Sequence, residues 1–132
     1  MMHGPAPYGR IVAAITASGR NAAGEKEDSV ATISVDPGIC GLPSIIRAES
    51  DDGQICRVTV ESKCEAITAM VAELGEVDGY AAAFSKFPDN PVYLAASRHY
   101  KHAACPVPSA VIKAIEIACG LALPKDVSFK VE

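Results

Sequence analysis

The fold is decided by residues 54–75, which read QICRVTVESKCEAITAMVAELG. Apolar and polar residues alternate in the first part, so that Cys56, Val58 and Val60 share one face, which predicts a strand over residues 54–61. Apolar residues then recur at helical spacing after Cys64, and Gly75 ends the pattern. We therefore expect a strand that leads directly into a helix, with a cysteine where the helix begins.

The neighbouring segments extend this pattern in both directions. Two earlier strands are predicted over residues 31–35 and 44–49, and Asp51-Asp52-Gly53 suits a hairpin turn. Ser62 and Glu65 have the spacing of a capping box. Three more helical segments are predicted over residues 77–85, 92–100 and 106–120, followed by a closing strand over residues 127–131. The predicted class is α+β: an antiparallel sheet of three to four strands with helices packed on one face.

Length and composition limit the function classes. The 132 residues fit one domain, and 49% are hydrophobic, without tryptophan. The formal net charge of −4 argues against nonspecific nucleic-acid binding, and no apolar run is long enough to predict a membrane span.

The beginning of the chain differs from the rest. Residues 1–29 are predicted to be a flexible lead-in, and residues 30–132 a single domain. The apolar stretch Ile11–Ile15 after Arg10 is short and lacks a cleavage site, which disfavours a secretory signal. Because five cysteines cannot all pair within one chain, a reducing cytoplasm is the predicted location.

Three of the five cysteines lie where the chain turns or a helix begins. Cys40 sits in a Gly-flanked turn, Cys64 opens the first helix, and Cys105 precedes Pro106, which places it at a predicted N-cap. A helix N-terminus favours thiolate, the form that attacks sulfur or ligates metal. We expect these three thiols to meet and to hold a soft metal or a cluster, unless they are unrelated buried residues.

The remaining cysteines and the histidines have different predicted roles. Cys56 lies on the core face of a strand and Cys119 late in an apolar helix, so both are predicted to be structural. His102 is a candidate fourth metal ligand, because imidazole binds the same borderline metals as thiolate. Alternatively, His99 and His102 belong to a solvated helix end.

The order of these parts resembles the IscU and NifU N-terminal iron–sulfur scaffold proteins over about residues 38–120. The matching features are Gly-Ile-Cys-Gly before a hairpin, a cysteine opening a helix, and a His/Cys segment before a late Ala-rich helix. The resemblance implies that Cys40, Cys64 and Cys105 hold a nascent [2Fe–2S] cluster, with zinc as an alternative metal. It also implies a sulfur-donor protein and cluster-acceptor proteins as partners.

The sequence departs from the pattern of that family at three places. Leu42 stands where the family has aspartate, and Cys64 lacks the usual neighbouring glycine. Ala104, rather than histidine, directly precedes Cys105.

Three functions stay open at this point. The first is an iron–sulfur or soft-metal scaffold that uses the three thiolates. The second is an enzyme in which Cys64 or Cys105 is a nucleophile or persulfide carrier and His102 the base. The third is a small interaction domain whose cysteines are structural.

Overall fold

The computed structural model describes residues 29–132. The predicted flexible lead-in and the apolar stretch near its start lie outside these residues, apart from Ser29, which begins the first strand. The strands are β1 (Ser29–Val35), β2 (Ser44–Ser50), β3 (Ile55–Ser62) and β4 (Glu76–Asp78). The helices are α1 (Glu65–Leu74), α2 (Gly79–Phe84), α3 (Pro91–His99) and α4 (Val107–Ala118), with a short 3-10 turn at Phe87–Asp89. The predicted α+β class is confirmed.

The sheet is antiparallel throughout, with the strands in the order β1-β2-β3-β4. Its register defines two ends. Val35, Ser44 and Ser62 lie across one row, which we call the open end. Ser50 and Cys56 pair near the other end, the closed end, where Cys56 also pairs with Val77 of β4.

The helices cover one face of this sheet. Along β2, Ile46 and Ala48 are fully buried, whereas Arg47 between them is exposed, as the period of a strand requires. Helix α4 packs on β1 and β2, and α1 packs on β3 and α3. The core is aliphatic, and burial of its Ile, Val and Met side chains is the main stabilising contribution.

Two predicted helix starts are wrong by one or two residues. The capping box at Ser62 does not form: Ser62 ends β3, and Cys64 is the N-cap residue of α1. Pro106, not Cys105, is the N-cap residue of α4. Pro108 then occupies the first turn, where its missing N–H has no helical partner to lose.

Two other predicted elements differ more. The helix predicted over residues 77–85 begins only at Gly79, because Val77 pairs with Cys56 as part of β4. The closing strand predicted over residues 127–131 does not form; this segment is exposed and outside the sheet. Across residues 29–132, none of the helices combines the length and the apolar character needed to cross a bilayer.

Candidate functional site

Cys40 lies in the loop between β1 and β2, at the open end of the sheet. Gly38 and Gly41 flank this turn with φ of 93° and 69°, a region that L-residues with a side chain rarely adopt. The loop is closed by a hydrogen bond from the Gly41 N–H to the Gly38 carbonyl at 3.0 Å. The Asp36 carboxylate accepts a second one from the Gly38 N–H at 3.0 Å. The turn thus holds the Cys40 thiol in solvent.

Cys64 lies where β3 passes into α1, also at the open end. Its N–H donates to the Ser62 hydroxyl at 3.1 Å, and its carbonyl accepts from the Thr68 N–H at 3.1 Å and the Thr68 hydroxyl at 3.0 Å. Its side chain makes no capping hydrogen bond and is half-buried. The backbone of Cys64 is therefore fixed at both of its polar groups, while the thiol stays available at the positive end of a helix.

Cys105 lies one residue before the N-cap of α4 and is half-buried. Its thiol donates a hydrogen bond to the Tyr100 hydroxyl, with 3.5 Å between the sulfur and the oxygen. Tyr100 is the C-cap residue of α3 and packs against the core. The segment between α3 and α4 thus folds back so that its tyrosine meets its cysteine.

Tyr100 is the hydrogen-bond partner of one of the three thiols, that of Cys105. Burial is the main cause that raises the pKa of its hydroxyl, followed by the hydrogen bond with Cys105. The charges of Cys105, Cys64 and Cys40 raise the pKa further. Of the three thiols, that of Cys105 is hydrogen-bonded to Tyr100, while Cys40 and Cys64 lie in loops at the open end of the sheet. We call Cys40, Cys64 and Cys105 the thiol cluster.

The three side chains of the thiol cluster do not surround a common binding position. Within residues 29–132, no group of three or more His, Cys, Asp or Glu side chains is arranged so that it could hold a metal ion. Cys40 is the outlying member, on an exposed loop. Neither of its flanking glycines has another atom within 4 Å of where a Cβ would lie, so the loop has open space around it.

The two histidines near the thiol cluster have different surroundings. His102 is exposed, and its ring meets the Tyr100 ring edge-on, with 6.0 Å between the centroids and 74° between the planes. Among the hydrogen bonds of the described residues, none joins His102 to a thiol. His99 lies in the last turn of α3 and contacts the Glu73 carboxylate at 2.8 Å.

The other two cysteines form a separate group at the closed end, which we call the buried pair. Cys56 is 0% and Cys119 8% exposed, so the prediction that both lie in the core is confirmed. The interaction with Cys119, together with burial, raises the pKa of Cys56. The Cys119 sulfur also lies 3.9 Å from the Gln54 carbonyl oxygen.

Sequence reasoning missed Tyr100. Its phenol lies in a His-Tyr-Lys-His run that predicted only a helix end, and no spacing rule relates a tyrosine to cysteines on other segments. Its one signal was its position five residues before Cys105, within the turn that separates two predicted helices.

Comparison with known proteins gives one match. No curated protein and no solved structure matches the chain. The resemblance to the iron–sulfur scaffold proteins therefore stays a prediction. A family model described as "Family of unknown function (DUF6951)" matches residues 31–131, from β1 to the end of the exposed C-terminal segment. The chain belongs to this family.

Proposed function

We propose that the protein carries a soft metal ion or a small iron–sulfur cluster as cargo, bound by the thiolates of Cys40, Cys64 and Cys105. One observation supports this above all: Cys40 and Cys64 lie in loops at the open end of the sheet, and Cys105 precedes α4, whose far end lies at the closed end. The presence of all five cysteines as free thiols agrees with a reducing cytoplasm as the location.

The chemistry of the thiol cluster suits such cargo. Thiolate is the preferred ligand of zinc, copper(I) and iron–sulfur clusters. Cys64 lies at the N-terminus of α1 with its side chain free of any capping hydrogen bond, and Cys40 lies exposed on the β1–β2 loop. A fourth position is left for His102, for a sulfide of the cargo, or for a ligand from another protein.

An open arrangement suits a carrier more than a permanent site. A structural metal site is closed by its ligands, whereas a carrier has to load and release its cargo. Cys40 is the ligand most accessible to a second protein. We therefore expect transfer from a sulfur donor and to an acceptor to proceed through the exposed side of the β1–β2 loop.

The two alternatives are less well supported by the contacts. A nucleophilic cysteine needs a base, but the hydrogen-bond partner of Cys105 is Tyr100, and His102 contacts the tyrosine ring instead. A purely structural role fits the buried pair but not Cys40, whose thiol is exposed. Ligation is the chemistry that uses all three members of the thiol cluster.

The test is anaerobic titration with cobalt(II) and zinc, together with reconstitution with iron and sulfide. We expect about one metal ion or cluster per chain, with thiolate-to-metal charge-transfer absorption. The variant Cys40→Ala/Cys64→Ala/Cys105→Ala should lose that absorption and keep its circular dichroism spectrum. The control variant Cys56→Ala/Cys119→Ala removes the two buried thiols instead, and it should still bind the metal ion or cluster. Stoichiometric binding by the triple variant, or its loss in the folded control, would end the proposal.

The dependence on pH gives a second test. Each thiol has to lose a proton on binding, so the apparent affinity should fall steeply as the pH drops from about 8 to about 6. In a chelator competition, Cys40→Ser should bind more weakly and lower the number of protons released by about one. An affinity that does not change over this range would contradict thiolate ligation.

A further inference from the structure

The C-terminal segment has the sequence of a strand but no strand to pair with. In Val127-Ser128-Phe129-Lys130-Val131, three apolar side chains alternate with two polar ones. Val127, Phe129 and Val131 are 61%, 83% and 98% exposed. In a strand these three large apolar side chains would share one face. We call residues 127–131 the tail strand.

The sheet has a free edge that suits such a strand. β1 pairs with β2 on one side, and among the described residues no strand pairs with its other side. Natural edge strands are usually protected by charged side chains or proline. β1 reads SVATISV and has neither. Its outer row of N–H and C=O groups is therefore a template for another strand.

We propose that the tail strand of each chain adds to the β1 edge of a second copy, so that two chains exchange tail strands in a two-fold dimer. A five-residue strand spans about 16 Å, which fits within the seven residues of β1. On β1, Ala31 is fully buried beneath the helices and Ile33 packs against the core. The apolar side chains of the tail strand extend this helix-covered layer, while Ser128 and Lys130 lie on the face that is open to solvent.

A second copy fits this edge better than the chain's own tail. In the single chain the side chains of the tail strand stay exposed, although none of the strands within residues 29–132 pairs with the outer edge of β1. Reciprocal exchange uses each edge once and closes the assembly, which is the usual geometry of homodimers. This inference does not depend on the proposed function.

The experiment compares the full chain with a chain that stops after Pro124, both in reductant and chelator. Leu121 packs on the core and is retained, whereas the removed side chains are exposed, so the shortened chain should keep its circular dichroism spectrum. By sedimentation or light scattering we expect a dimer for the full chain and a monomer for the shortened one. Amide hydrogen exchange in β1 should be faster in the shortened chain, with no change in β3.

Point variants separate the two faces of the tail strand. Phe129→Ser should raise the dimer dissociation constant at least about tenfold, because it removes one large apolar side chain that the pairing would bury in each tail. Lys130→Ser is the matched control on the opposite face and should leave that constant unchanged.

Three results would overturn the inference. The first is a monomeric full chain, including one in which its own tail protects β1. The second is a dimer that persists in the shortened chain. The third is protection of β1 that does not change when the tail strand is removed, which would show that another segment covers the edge.

Discussion

The two ends of the sheet use the same residue type for opposite purposes. At the open end, Cys40, Cys64 and Cys105 lie on a loop, at an N-cap and before a helix, and all retain access to solvent. At the closed end, Cys56 lies within β3 and Cys119 at the C-cap of α4, and both are buried. The position in the fold, rather than the chemistry of the side chain, separates the thiols proposed to bind from those that pack.

The packing around the two groups shows what each end tolerates. A Cβ placed on Gly79 would lie 2.4 Å from the Cys119 sulfur and 3.1 Å from the Gln54 carbonyl oxygen. The closed end therefore has no room for a single added methyl group. The glycines beside Cys40, in contrast, have open space around them. An end that is tightly packed specifies the fold, and an end with room to move is suited to binding.

The largest expected difference between the groups is in thiol reactivity. In the folded protein, alkylation should reach Cys40 first and Cys64 and Cys105 next. Cys56 should react at least about a thousandfold more slowly than Cys40, because it becomes accessible only when the structure opens. Timed alkylation followed by peptide mass spectrometry measures this order. Labelling in denaturant is the control, since all five thiols should then react at similar rates.

An alkylation rate of Cys56 close to that of Cys40 in the folded protein would contradict the difference between the two ends. It would mean that the closed end opens as readily as the open end does.

Gly79→Ala tests the packing of the closed end directly. The added methyl group displaces the Cys119 sulfur, so we expect a loss of about 1–3 kcal/mol in the free energy of unfolding. This outweighs the higher helix propensity of alanine, about 1 kcal/mol. Chemical denaturation of both proteins gives the difference.

The double variant Gly79→Ala/Cys119→Ala shows whether the sulfur is the cause. It should be less destabilised than the sum of the two single variants, since the atom in conflict is gone. Simple additivity would locate the strain elsewhere, at the Gln54 carbonyl.

The closed end was largely predictable from the sequence, and the open end only in part. The alternation in β3 assigned Cys56 to the core, and the late position of Cys119 in an apolar helix did the same. The placement of Cys64 at a helix start was also predicted, although Ser62 was taken for its cap. These features depend on local periodicity, which one sequence contains.

The missed features depend on contacts between distant segments. Val77 was assigned to a helix because its pairing with Cys56 is a tertiary interaction. The residues of the tail strand carry the pattern of a strand, but whether they pair depends on an available edge. The contact of Tyr100 with Cys105 depends on how the segment between α3 and α4 folds back, which no spacing in the chain encodes.

Tyr100→Phe tests the hydrogen bond between the Cys105 thiol and the Tyr100 hydroxyl. It leaves the half-buried Cys105 thiol without its acceptor, so we expect a loss of about 1 kcal/mol in the free energy of unfolding and faster alkylation of Cys105. Alkylation of the buried pair should not change. Tyr80→Phe is the matched control, because Tyr80 is 48% exposed on α2.

The same variant has a signature at high pH. The pKa of Tyr100 is raised in the folded protein, while the unfolded chain ionises its tyrosines near pH 10. This contribution to stability is complete below about pH 10 and is lost as the pH rises further. Tyr100→Phe should therefore lose less stability than the wild type above that pH. An equal loss in both proteins would contradict the burial of the hydroxyl.

The smallest effect is expected at the link between α1, which begins after Cys64, and α3, which ends at Tyr100. Glu73 of α1 accepts hydrogen bonds from Arg98 and contacts His99, both in the last turn of α3. The Arg98 guanidinium, and then His99, lower the pKa of Glu73, so the stabilisation is present above about pH 4.3 and is lost as the pH falls below it. Because the ion pair is exposed, Glu73→Gln should shift the urea midpoint only slightly at neutral pH and reduce its fall in acid. Glu61→Gln on β3 is the control.

If the link between α1 and α3 holds Cys64 and Tyr100 in place, Glu73→Gln should speed the alkylation of Cys64 and Cys105 and leave that of Cys56 unchanged. Equal acceleration at all three cysteines would mean that the link stabilises the whole fold rather than the open end.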